Sequence, residues 1–224
     1  MKTSASRSCL MFHGIGTPVT SMEPGEQDFW IDWGAFDSIV AKCAELPPQS
    51  DRFTFDDGNA SDLEAARRMR SHGIDGSFFV LVGRIGRPGY LAAQDIAELV
   101  GLGMEVGLHG RDHVDWREAD DATLFSEIDQ AAQELSVICG REIGSLAIPY
   151  GAYDRRVWRY LERSKFTRIY TSDRGASAPR SRFVRRNPVM RWHTVEDVEA
   201  ILRGEAPMLA RLRRWVMPQI KRRI

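Results

Sequence analysis

Apolar positions along the chain fall into short runs that alternate with longer stretches at helical spacing. Cys9 to His13, Arg52 to Phe55, Ser77 to Val82, Met104 to Leu108, Ser145 to Ile148, Thr167 to Thr171 and Phe183 to Met190 read as strands. Between them lie helical patterns over Phe29–Leu46, Ser61–Ser71, Leu91–Leu102, Ala122–Cys139 and Asp154–Arg163. Their stops are legible: Pro47-Pro48, Gly73, Gly103 and Gly140 each follow a periodic stretch. Ser61 is a candidate N-cap, and Thr194 with Asp197 forms a capping-box pattern before a last helix. Strand–helix alternation of this kind predicts an α/β protein with a largely parallel sheet. Gly175 to Arg182 (GASAPRSR) is the most loop-like segment and is too short to separate domains.

Composition narrows the picture. At 224 residues, 43% hydrophobic and 28% charged, the chain fits one ordinary globular core. Thirty-one basic residues balance 31 acidic ones, so no overall field points to nucleic acid. Cys9, Cys43 and Cys139 have no metal-site or disulfide spacing and read as reduced thiols. The N-terminus has no apolar run suited to a signal peptide, and no stretch approaches the roughly 18 apolar residues that span a bilayer. A cytoplasmic enzyme is therefore expected, organised as a domain over 1–204 followed by a basic tail over 205–224. The tail carries Arg211, Arg213, Arg214, Lys221, Arg222 and Arg223 and no acid beyond Ala206. It reads either as a helix docked with its charges solvated or as peripheral contact with an anionic membrane surface.

The chemistry-bearing residues follow predicted strands, where α/β proteins place their working loops. Asp56-Asp57-Gly58 puts two carboxylates side by side; such a pair calls for a compensating cation, although Asp-Gly is also a common turn. His109 and His113 are four residues apart, so one helical turn brings both imidazoles to one face. Two histidines and a carboxylate with room for water make a catalytic zinc-type site. Ile148-Pro149-Tyr150-Gly151 is, by itself, a proline-glycine turn.

Together TFDDG, HGRDH and PYG, in this order, resemble the polysaccharide deacetylase (NodB-homology) family, as do LMFHGIG and LAIPYGAYD around them. The resemblance runs from about Leu10 to Leu202. It implies a distorted (β/α) barrel and a divalent ion, most commonly zinc, with cobalt, nickel or iron(II) acceptable to the same ligands. By motif position Asp57, His109 and His113 are the implied metal ligands, Asp56 the general base, and the Tyr150 backbone N–H an oxyanion donor. The implied reaction is removal of N-acetyl groups from an amino sugar, oligosaccharide or polysaccharide precursor. A formamido or non-sugar amide would suit the same chemistry, and a catalytically silent glycan-binding relative is the non-enzymatic alternative.

Two departures matter. Many family members carry an arginine two positions before the proline of PYG, where it orients the base; here that residue is Ala147, so another group must hold Asp56. The late histidine that often serves as general acid has two candidates, His193 and His13. Pro149 and His13 are expected to line the substrate pocket, and Trp116 is the best candidate for a groove wall against sugar rings.

Overall fold

Each predicted apolar run pairs with its neighbours to close a ring. The structure is a computed structural model that describes residues 7–19, 22, 25–49 and 51–205. Its strands are β1 (Arg7–Phe12), β2 (Phe53–Phe55), β3 (Gly76–Val80), β4 (Glu105–Leu108), β5 (Ser145–Ala147), β6 (Arg168–Thr171), β7 (Ala176–Ser177) and β8 (Phe183–Pro188). In the order β2-β3-β4-β5-β6-β8-β1 all neighbours are parallel, and β1 pairs back onto β2, giving a closed seven-stranded barrel. The segment read as a loop, Gly175 to Arg182, contains β7, which pairs antiparallel with the start of β1.

Around the ring lie α1 (Trp33–Ala44), α2 (Ser61–Ser71), α3 (Ala93–Gly101), α4 (Asp121–Phe125), α5 (Ala131–Cys139), α6 (Arg155–Arg163) and α7 (Val195–Arg203). Asp32 and Asp154 cap α1 and α6 by accepting backbone N–H bonds of 2.8 Å each. The capping box of α7 forms as the sequence suggests, Thr194 and Asp197 bonding reciprocally. Ser61 is not a cap: it is the first residue of α2, and its hydroxyl accepts from Ile15 N at 3.1 Å. The long helix expected after His113 is two helices joined by a π-helical turn, Ser126–Gln130. No helix among the described residues is long and apolar enough to cross a membrane. The basic tail lies outside the described residues from 206 onward.

Side-chain alternation along the strands divides the apolar residues into two layers. The outer layer meets the helices: Phe12 stacks on Phe53 and Phe55, Phe55 on Phe78, and Phe36 of α1 approaches Phe12 edge-on at 5.7 Å. Burial of each such ring contributes on the order of 2 kcal/mol. Phe79, one residue from Phe78, belongs instead to a small separate cluster with Cys9, Ala147, Tyr170 and Val184 inside the barrel. The charged side chain of Arg186 also lies against that cluster, fully shielded from solvent.

Candidate active site

The strands are parallel, so their C-terminal ends share one rim, and the motif loops leave from it. Asp56 and Asp57 follow β2, His109 follows β4, Pro149-Tyr150 follows β5, and His13 follows β1. They surround a cavity of about 380 Å³ whose wall includes His13, Asp56, Asp57, His109, His113 and Tyr150.

One wall is a ligand set. Single donor atoms of Asp57, His109 and His113 all lie within 4.8 Å of one another. Asp57 Oδ1 is 3.5 Å from His109 Nε2 and 3.6 Å from His113 Nε2. His109 Nδ1 lies 3.0 Å from the Ala147 carbonyl. A carbonyl only accepts, so Nδ1 carries a proton and Nε2 is the nitrogen turned toward Asp57. Burial, reinforced by His109, Arg84 and His13 against the pull of Asp57, lowers the His113 pKa to about 4, leaving a neutral imidazole at neutral pH. Asp57 Oδ1 is buried and accepts no hydrogen bond. Asp62, in the first turn of α2, is likewise buried with both oxygens unbonded; burial, then Asp57 and Asp56, raise its carboxyl well above the usual range. A buried, unbonded carboxylate oxygen facing two imidazole nitrogens is what a divalent cation would satisfy, so the donor set fits a metal.

The backbone shows the same local demand. Asp57 (φ 78°), His113 (φ 59°) and Tyr150 (φ 56°) all adopt the left-handed conformation. Each such non-glycine residue costs about 1–3 kcal/mol, and their concentration on one rim marks a functional site.

The adjoining wall, around Asp56, is complete in itself. Arg186 of β8 grips Asp56 with both guanidinium ends, Nη1 to Oδ1 at 2.5 Å and Nη2 to Oδ2 at 2.8 Å. Arg186 also donates to Thr54 Oγ1 and the Thr171 carbonyl, both at 3.4 Å, and its guanidinium lies over the Phe79 and Tyr170 rings. Burial alone would raise the Asp56 pKa, but the Arg186 charge, then His109, the Arg186 hydrogen bonds and His13 together bring it down to about 2. Asp56 is therefore ionised and fixed in direction. Arg186 holds Asp56 where Ala147 cannot, and the motif reading missed it. The available signal was parity: in Phe183-Val184-Arg185-Arg186 one arginine must face the lumen, and a lone inward charge demands a partner.

A family model for polysaccharide deacetylases matches residues 45–169, more than half of the chain. This chain belongs to the polysaccharide deacetylase family. Solved structures agree on the barrel. One similar structure is a polysaccharide deacetylase from Bacillus cereus (TM-score 0.76, 18% identity, covering 88% of this chain and 69% of that one). Another is the deacetylase PplD of Streptococcus pyogenes, in complex with acetate (0.75, 19%, 92% and 100%). A third is IcaB from Ammonifex degensii (0.70, 20%, 91% and 99%). A comparison with curated proteins gives no match.

Within this deacetylase fold the remaining candidates separate. His13 lies in the pocket wall with its ring 4.7 Å from Phe29, and its buried Nδ1 makes no hydrogen bond. His193 does not reach the pocket lining; it sits at the entry to α7, where Nδ1 accepts from Met190 N at 3.2 Å. Trp116 is not a groove wall: it is fully buried, its indole N–H directed at Glu127 Oε2. A ring three residues past His113 turns inward because the loop there folds back under the rim. Pro149 is also buried and outside the lining, while Tyr150, half exposed, stacks against His113 with centroids 4.1 Å apart. Arg111, between the two histidines, is held by its guanidinium to Glu134.

Proposed function

We propose that this chain is a metal-dependent N-deacetylase acting on an N-acetylated sugar, oligosaccharide or polysaccharide precursor. The observation that carries it is the pairing, in one pocket, of a cation-ready wall (Asp57, His109, His113) with a separately clamped, ionised carboxylate (Asp56) beside it. A divalent cation in that ligand set supplies Lewis acidity toward the amide carbonyl and brings the pKa of water down to about 7.

The protein's own groups do the rest. Asp56 Oδ2 is the oxygen nearer His109, at 3.9 Å from Nε2, and takes the proton of the attacking water. Arg186 keeps that oxygen aimed at the ligand wall and holds the carboxylate charged between turnovers. The Tyr150 N–H donates to the oxyanion, its direction set by the left-handed backbone. As the C–N bond breaks, the leaving amine needs a proton, and His13, in the pocket wall, is the donor; His193 is not part of the lining.

The test is acetate release from N-acetylglucosamine oligomers by metal-stripped protein, before and after reloading with zinc or cobalt. Reloaded protein should release acetate, and Asp56→Asn should lower kcat about 10³-fold while still binding one equivalent of metal. A metal-loaded protein silent on every amino sugar would remove the substrate assignment. Failure of the native chain to bind metal would remove the site assignment as well.

A further inference from the structure

Behind the ligand wall sits a buried acid that no step of the proposed chemistry uses. Glu127 lies in the π-helical turn between α4 and α5 and is only 2% exposed. Its Oε2 accepts from Arg111 N at 3.0 Å and Trp116 Nε1 at 3.4 Å; its Oε1 accepts from Asp112 N at 3.1 Å. Arg111 and Asp112 are the residues between Gly110 and His113, so both carboxylate oxygens hold the backbone of the histidine loop itself. That loop needs holding, since Gly110 (φ 92°) and His113 (φ 59°) are both left-handed. The fit is close on the other side too: a Cβ on Gly110 would stand 2.7 Å from Glu127 Oε2.

Burying a carboxylate costs several kcal/mol, and an apolar side chain would fill the same space more cheaply. What the carboxylate adds is two directed acceptors on adjacent N–H groups. The helix opens into a π turn at the residue that supplies them, a distortion found where helices are adjusted for function.

We propose that Glu127 is a positioning residue for the cation ligands. By fixing the Arg111–Asp112 backbone it fixes the direction in which His113 presents Nε2 to Asp57. It thereby sets metal affinity without touching the metal. This rests on the proposed function only in requiring that Asp57, His109 and His113 bind a cation.

The experiment titrates cobalt into metal-stripped native protein and Glu127→Gln, following the d–d absorption, alongside thermal unfolding of both stripped proteins. Gln keeps the shape but turns an NH₂ toward one of the backbone donors. Cobalt affinity should fall about 10–100-fold with a changed absorption envelope, while the stripped variant remains folded. With metal saturating, kcat should fall more than KM changes. A folded Glu127→Gln that binds cobalt as tightly as native protein, with the same spectrum, overturns the inference and leaves the deacetylase reading intact. Native protein that binds no cobalt overturns that reading, and this inference with it. Hydrogen exchange on stripped native protein tests the hold without any variant: the Arg111 and Asp112 amides should be strongly protected. Exchange of both at the rate of an open loop overturns it.

Discussion

Asp56 and Asp57 are the same residue type, adjacent in sequence and both buried, yet their surroundings are opposite. Asp56 has each oxygen bonded to Arg186, and its charge is answered inside the protein. Asp57 has an oxygen with no hydrogen bond, a left-handed backbone, and two imidazole nitrogens in front of it. The turn at Asp57 ends the strand geometry, so the carboxylates face different neighbours. The Asp56 wall is complete when the chain folds; the Asp57 wall carries a donor set that fits a divalent cation. The Arg186 clamp holds Asp56 independently of that donor set.

The sharpest way to break the contrast is at Arg186. Arg186→Met should cost about 3–5 kcal/mol in urea unfolding of the stripped protein, since it strands a buried charge at Asp56. A loss below about 1 kcal/mol would mean that solvent reaches Asp56 and the wall is not self-contained.

A smaller effect separates the walls by pH. The His113 pKa is depressed from 6.5 to about 4, so the unfolded chain binds its proton first as pH falls. Stability of the stripped protein should be fully present above pH 6.5 and decline by about 3 kcal/mol on approaching pH 4. Asp56, depressed to about 2, adds its own loss only below its ordinary value of 3.8. His113→Asn should flatten the upper part of that profile; an unchanged slope would place its origin elsewhere.

The smallest effect is at Asp57. Asp57→Asn removes the unanswered charge and keeps a side chain that tolerates left-handed backbone. Stripped protein should therefore gain about 1 kcal/mol, while cobalt affinity drops beyond the range of the titration. Destabilisation equal to that of Arg186→Met would show that the two walls are built alike.

Legibility followed locality. Asp57, His109 and His113 stand in short motifs after strands, and the fold brings them within ligand distance. Tyr150 and His13 lie on the same rim for the same reason. Trp116 and His193 were misplaced because several residues past a strand end (eight beyond Leu108, five beyond Pro188) the chain can turn inward or away, and no nearby residue betrays which. Arg186 and Glu127 were missed because each acts on a partner distant in sequence: Arg186 lies 130 positions from Asp56, and Glu127 lies 15 and 16 positions from Asp112 and Arg111.

The sequence by itself determined the strand–helix alternation, the parallel sheet that follows from it and the placing of the motif residues after strands, because hydrophobic period and strand-end position are local properties; the barrel was what the motifs' resemblance to a family implied. Only the tertiary structure decided which groups complete them. Barrel closure juxtaposes β8 with β1 and β2 and so supplies the arginine that Ala147 does not, and helix packing brings Glu127 under the histidine loop. Those partnerships depend on which inward-facing side chains meet across the closed ring, a matter of register and packing that no single stretch of chain records.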